Sequence, residues 1–309
     1  MFHVVAVLLM SLIFGLPALG LTALEAALPP VAVLRGAFWL AAPLLYALGF
    51  VLTAGALSVP FHRSIVPGSF PRDLRVPAYR NRRLYGLCWT AVYYFTPIYW
   101  MFLTVPLLRR LLFRLFGYRG QMAFTVYPDT WIRDLPLLDF GPGAYVANKS
   151  TLGTNVCLND GSILVDRISL GKGTMIGHMS MLAPGVVLEE GAEIGVAVAL
   201  GMRVHLEAGV SVGGCCDISH LTRMEAGAST GTSVNVGAGC RIGPRVHLPA
   251  GSFVPPRSKW RSPEDVRAGL AQGRGGTPSA LPSEPRRDEA AVPASGATSE
   301  FRSHWKEEA

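Results

Sequence analysis

The chain has 309 residues, half of them apolar, with a formal charge of +7 and a positive mean hydropathy of +0.33. Only 16% of the residues are charged, too few for an ordinary soluble enzyme, so membrane segments are expected. No nucleic-acid motif is present, and the five cysteines form no CxxC pair or zinc-ligand spacing, which reads as reduced, structural thiols in a cytoplasmic setting.

The basicity is local. Residues 1–139 hold twelve arginines against five acids, whereas residues 140–254 hold seven basic and eight acidic side chains. An apolar, basic third points to anionic lipid head groups and not to nucleic acid. Residues 2–23 contain no charged side chain and are long enough to cross a hydrocarbon core. A cleaved signal peptide is the alternative, but the basic leader is missing and a second apolar run, Val31 to Pro60, follows at once. The next loop carries Arg63, Arg72, Arg75, Arg80, Arg82 and Arg83 against Asp73. The positive-inside rule places it in the cytoplasm. Residues 84–116 are apolar, rich in Tyr and Trp, broken by Pro97 and Pro106, and followed by Arg109, Arg110, Arg114 and Arg119. A third span would separate the two basic clusters, so an in-plane or re-entrant segment is favoured over it. The domain reading is a membrane domain over 1–119, a linker over 120–139, a β-helix over 140–256, and a short helix with a disordered tail over 257–309.

From Phe140 to Val254 the chain repeats every six residues. The leading column runs Phe140, Val146, Leu152, Leu158, Leu164, Leu170, Ile176, Leu182 and onward to Leu248, with Thr230 the one polar member. The next column is often Gly, expected to support the corners, and the fifth is small or β-branched. A period of six fits neither a helix nor a lone amphipathic strand. It fits a solenoid in which three short strands and three turns make an 18-residue coil, both apolar columns pointing inward. The expectation is an all-β left-handed parallel β-helix of about six coils, with no inserted loop because the phase never slips.

Units such as LGKGTM, IGHMSM, LEAGVS and VGAGCR resemble the hexapeptide-repeat acyltransferases. The resemblance implies a left-handed β-helix, a trimer, and an acyl group taken from coenzyme A or a carrier protein, with no tightly bound cofactor. It also implies an active site on the outer face with a His general base. The layout of apolar segments before repeats further resembles the C-terminal region of some non-ribosomal peptide synthetases, so a synthetase or carrier protein is a candidate partner. Family members often carry an external loop beside the site, and none is expected here. The family's γ-class carbonic anhydrases need three zinc-binding His, a pattern that His178, His205, His220 and His247 do not make.

If residues 18 apart stack about 4.8 Å apart, His178 lies over Asp160. That carboxylate would orient the imidazole as a general base, with Asn155 and Asn159 beside it as substrate-binding groups. The alternative is a solvated His beside a solvated Asp. His205 is expected over Val187 and under Arg223 with no carboxylate support. His220 shares a column with Met202 and, like His205, is a candidate substrate-binding group; His247 lies over Ser229. Arg203 and Arg223 are candidates for phosphates of coenzyme A. Lys172 and Glu190 read as a stacked ion pair. Ser262-Pro263-Glu264-Asp265 reads as a helix start running to about Ala271. The functional expectation is a membrane-anchored acyltransferase with its β-helix on the cytoplasmic side, acting on a hydroxyl or amine of a membrane-proximal acceptor. The alternative is a non-catalytic membrane scaffold for a peptide or glycan synthetase.

Overall fold

The computed structural model describes residues 2–271; the tail expected to be disordered lies outside them. Two helices, α1 (Phe2–Ala27) and α2 (Ala32–Ser58, continued by a 3-10 turn to Ser64), are long and apolar enough to cross a membrane. They pack as a hairpin and leave Leu19, Leu24, Val33, Trp39, Leu40 and Leu44 exposed. An apolar surface of that extent is unfavourable in water.

Residues 84–116 do not form one rod. They fall into α3 (Pro77–Tyr94), α4 (Thr96–Thr104) and α5 (Pro106–Leu115), with Pro77, Pro97 and Pro106 each in a first turn. A proline there gives up no needed N–H and ends the preceding helix. The path doubles back. Phe95, at the α3–α4 turn, meets Phe50 of α2 edge-on at 5.4 Å. Tyr85 then sits between His62 and Phe116, with ring centroids 5.7 and 6.3 Å away, and its hydroxyl donates to the Phe116 carbonyl at 2.9 Å. The side chain of Leu115 lies against Gly55, where a Cβ would come within 2.8 Å of it. The chain therefore leaves α2 and returns from α5 at the same end, and both arginine clusters share that end.

The repeat region is a parallel solenoid of three seven-stranded sheets. Face 1 carries Tyr145, Met175, Glu193, Ser211, Ser229 and His247 outward; face 2 carries Trp131, Thr151, Met181, Ala199, Asp217, Asn235 and Phe253. Face 3 carries Ser169, Val187, His205, Arg223, Arg241 and Lys259. The leading column and the fifth column both point inward: Ile176, Leu182 and Leu188 are buried, and so are Thr174, Ser180 and Val186. Deleting one such aliphatic side chain to Ala costs about 2–5 kcal/mol.

Three expectations are corrected. The solenoid begins at Thr125, not Phe140, and each face has seven strands instead of about six. The first coil was hidden because Thr125 pairs with Tyr145, a spacing of 20 that shifts the phase by two. The coil also contains an insertion: Tyr145 pairs with Met175 and Thr151 with Met181, spacings of 30. The extra twelve residues are two whole repeat units, so the six-residue phase passes through them unchanged. They form an antiparallel hairpin, Asn155–Cys157 against Ser162–Val165, and a strand from the basic loop, Gly68–Pro71, adds to its outer edge. Finally, the second-column glycines do not set the corner conformation. A Cβ on Gly177 would lie 2.3 Å from the Gly195 carbonyl oxygen of the next coil, so it is close stacking that demands Gly there. The left-handed backbone falls two residues later, at Met179, Ala197, Arg203, Cys215 and Leu221, with φ between 54° and 58°.

Both ends of the solenoid are covered. Trp89 of α3 donates its indole N–H to the Ile132 carbonyl at 2.7 Å, and Tyr118, Phe124 and Phe140 stack at 4.7–5.7 Å beneath α5. At the far end, α6 (Pro263–Ala271) lies on Trp260, with the Ser262 hydroxyl accepting the Asp265 amide at 3.3 Å.

Candidate active site on face 3 of the solenoid

The insertion moves every stacking relation that crosses it. His178 does not lie over Asp160. The Met179 amide donates to the Asn148 carbonyl, so the residue beneath this corner is 30 positions earlier. His178 is exposed at the corner between faces 1 and 2, near the exposed Met175, Met179 and Met181, and its ring has no hydrogen-bond partner among the described residues. Asp160 instead closes the hairpin turn. Its Oδ1 accepts the Ser162 amide at 2.9 Å and the Ser162 hydroxyl at 2.6 Å, an arrangement typical of Asx turns. Asn159 is exposed at that turn. Asn155 is turned inward, where its Oδ1 accepts from Arg82 at 2.6 Å.

That bond belongs to a buried polar joint. Arg82 of α3 pairs with Asp134, whose carboxylate also accepts the Thr154 hydroxyl at 2.7 Å, and Arg133 Nε lies 3.8 Å away. The joint ties the helical region to the first coil and to one leg of the hairpin. The other leg is tied at the corner between faces 2 and 3, where Arg203 Nε donates to Asp166 at 3.3 Å.

Two residues past Arg203, His205 points outward from face 3. It lies over Val187 and under Arg223, as the 18-residue register requires. The expectation that no carboxylate supports it is wrong: Glu189 Oε1 sits 2.7 Å from His205 Nε2, both side chains being partly exposed. The missed signal is a diagonal spacing of sixteen. Glu207 bonds Arg223 at 2.6 Å and Glu225 bonds Arg241 at 2.5 Å in the same relation, so Glu189, Glu207 and Glu225 form one column and His205, Arg223 and Arg241 the other. His205 occupies the rung nearest the hairpin in place of an arginine. Partial burial raises the Glu207 carboxyl, but the Arg223 hydrogen bond and the Ala226 amide outweigh it and hold the pKa below the usual value. This acid stays charged beside the His205 ring.

The remaining candidates lie apart. The His220 Nδ1 accepts the Met202 amide at 2.9 Å at the corner above Arg203, and His247 bonds Ser229 at 2.9 Å on face 1. Lys172 and Glu190 form the expected exposed pair at 2.8 Å. Among the described residues no group of three metal-binding side chains occurs. Face 3 therefore holds a carboxylate-bonded imidazole, two guanidiniums fixed by carboxylates, and a protruding hairpin along one border. An imidazole whose Nε2 is held by Glu189 keeps Nδ1 as its second nitrogen, an arrangement suited to accepting a proton.

No family model and no curated protein matches the chain. Among solved structures it is similar to PerB from Caulobacter crescentus, with CoA and GDP-perosamine bound, at 20% identity over 48% of this chain, TM-score 0.27. It is also similar to the Francisella novicida UDP-N-acetylglucosamine acyltransferase, at 11% identity over 52% of this chain and 71% of that one, TM-score 0.35. A third is the acetyltransferase domain of PglB from Neisseria gonorrhoeae with acetyl coenzyme A, at 18% identity over 49% of this chain and 62% of that domain, TM-score 0.21. The chain spans 61% of the length of PerB. With TM-scores of this size, the fold assignment rests on the strand pairing itself.

Proposed function

We propose that the protein is a membrane-attached acyltransferase in which His205, held by Glu189, is the general base. Coenzyme A or an acyl-carrier protein is the donor, the class that the hexapeptide resemblance implies. The acceptor is a hydroxyl or amine on a membrane-proximal molecule. The observation that supports this reading is the 2.7 Å His205–Glu189 bond on the face bordered by the hairpin. His205 Nδ1 takes the acceptor proton as the acceptor oxygen or nitrogen attacks the thioester carbonyl. The tetrahedral intermediate expels the thiolate, which recovers the proton from the imidazolium. Glu189 stabilises that imidazolium. Arg203 and Arg223, each anchored by a carboxylate, are the cations that would meet the donor phosphates. The two apolar helices would supply the attachment, and the arginine clusters at one end favour a cytoplasmic β-helix. Self-assembly as a trimer, with a synthetase or carrier as partner, belongs to the same proposal.

The test is thiol release from acyl-CoA by the full chain in lipid nanodiscs. His205→Asn lowers turnover by about 10²–10⁴-fold, the usual worth of a general base, while His178→Asn and Asp160→Ala leave it unchanged. Loss of transfer in His178→Asn alone would move the base to the corner between faces 1 and 2. A second reading, the non-catalytic scaffold, draws on one observation: His205–Glu189 repeats the geometry of two ordinary ion pairs above it. It holds if both His variants preserve the cellular phenotype while deletion of the repeats abolishes it.

A further inference from the structure

A cavity of about 530 Å³ opens where α5 meets the segment leading into the first coil, lined by Pro106, Leu107, Arg109, Arg110, Gln121 and Met122, with Ala123 at its edge. We propose that it binds the phosphodiester headgroup of an anionic membrane lipid. Its wall holds two guanidiniums and no acidic side chain, and neither arginine has an ion-pair partner among the described residues. Arg109 is set in place before any ligand arrives. Its two terminal nitrogens donate to the Phe124 and Met122 carbonyls at 3.0 and 3.2 Å, and its guanidinium lies 5.4 Å from the Phe124 ring centre. Of its five N–H donors, those two bonds spend two and the Nε–H is buried, which leaves two on the terminal nitrogens. Gln121 fixes the opposite wall, donating to the Phe140 carbonyl at 2.5 Å and accepting from the Ala123 amide.

The surroundings select the source of the phosphate. Leu107 on the cavity wall and Val105, next to it in sequence, are 73% and 42% exposed. Free phosphate has no use for such a rim, whereas a lipid sets its headgroup against the arginines and its acyl chains against the apolar side chains. One fixed guanidinium with a second beside it also suits phosphate better than a diffuse positive surface does.

This inference rests on the membrane attachment proposed above, so the two are tested separately. Alkaline carbonate extraction of membranes reports attachment; release of the full chain would overturn the attachment and the lipid site together. Native mass spectrometry of the full chain from micelles containing phosphatidylcholine and phosphatidylglycerol reports the headgroup site. The expected result is retained phosphatidylglycerol, cut about five-fold by Arg110→Gln, the ~1 kcal/mol of one basic residue at an anionic surface. Arg110→Lys keeps most of it, and Arg35→Gln, far along α2, leaves it intact. Added inorganic phosphate does not displace the lipid. An equal preference for phosphatidylcholine, or an unchanged signal in Arg110→Gln, overturns the site while the attachment stands. Displacement by inorganic phosphate overturns the assignment to lipid. Arg110 is exposed and makes no hydrogen bond or ion pair among the described residues, so its variant keeps the structure.

Discussion

Arg82→Ala is the most informative single change in this fold. Arg82 and Asp134 are 3% and 0% exposed, and the pair joins α3 to the first coil. Without the arginine, the Asp134 carboxylate is left in the interior with the Thr154 hydroxyl at 2.7 Å and Arg133 at 3.8 Å. Removing one partner of a buried ion pair costs about 3–5 kcal/mol. The surviving Arg133 places the expectation near the lower end, about 3 kcal/mol, because a second guanidinium still faces the carboxylate. At roughly 2–4 °C per kcal/mol for chains of this size, the unfolding midpoint falls by about 6–12 °C. Tryptophan fluorescence of the full chain, heated in detergent micelles, reads it. Hydrogen exchange adds a local signature: residues 155–165 lose protection before the later coils, since Asn155 loses its bond to Arg82 as well. The double variant Arg82→Met/Asp134→Leu recovers part of the loss, because the unpaired carboxylate is gone although the Thr154 hydroxyl and Arg133 lose their partner. A shift below about 2 °C in the single variant, or a double variant less stable than the single, would refute this account.

Three further outcomes follow. Gly177→Ala lowers stability by about 1–3 kcal/mol, seen as a lower unfolding midpoint, because its Cβ meets backbone of the next coil at 2.3 Å; a tolerated Ala would mean that the coils can spread. Among the thiols, Cys157 and Cys215 are exposed and react with maleimide in the folded chain. Cys88, whose buried thiol is pushed up to about 12, stays protonated and unreactive near neutral pH until denaturant is added. The same two exposed thiols report sidedness in whole cells, and labelling by an impermeant maleimide from outside would defeat the cytoplasmic placement of the β-helix.

The period of six, the inward columns and the two apolar helices are local patterns, and each was legible in the residues. Burial of one column obliges it to be apolar over the whole solenoid, and a helix exposed to lipid must be apolar on every face. The stacking of His205 over Val187 and under Arg223 followed from period alone, since no insertion lies between them. The pairing of His178 with Asp160 failed for the opposite reason. An insertion of two whole units leaves every column in phase, so Leu158 and Leu164 read as solenoid positions while they belong to a hairpin. A local cue was present in Asn159-Asp160-Gly161 between Val156 and Ile163, a turn signal flanked by strand formers.

What tertiary structure alone decided is which distant groups meet. The basic loop adds a strand to that hairpin, Arg82 reaches Asp134 and Asn155 across the joint, and α3 to α5 fold back to one end. Face 3 gathers a glutamate and a histidine sixteen apart, a spacing that is neither the repeat of six nor the coil of eighteen. A periodic sequence determines its column, because burial acts on each unit alike. It leaves open how the coils meet what interrupts and caps them, because those contacts form once and repeat nowhere.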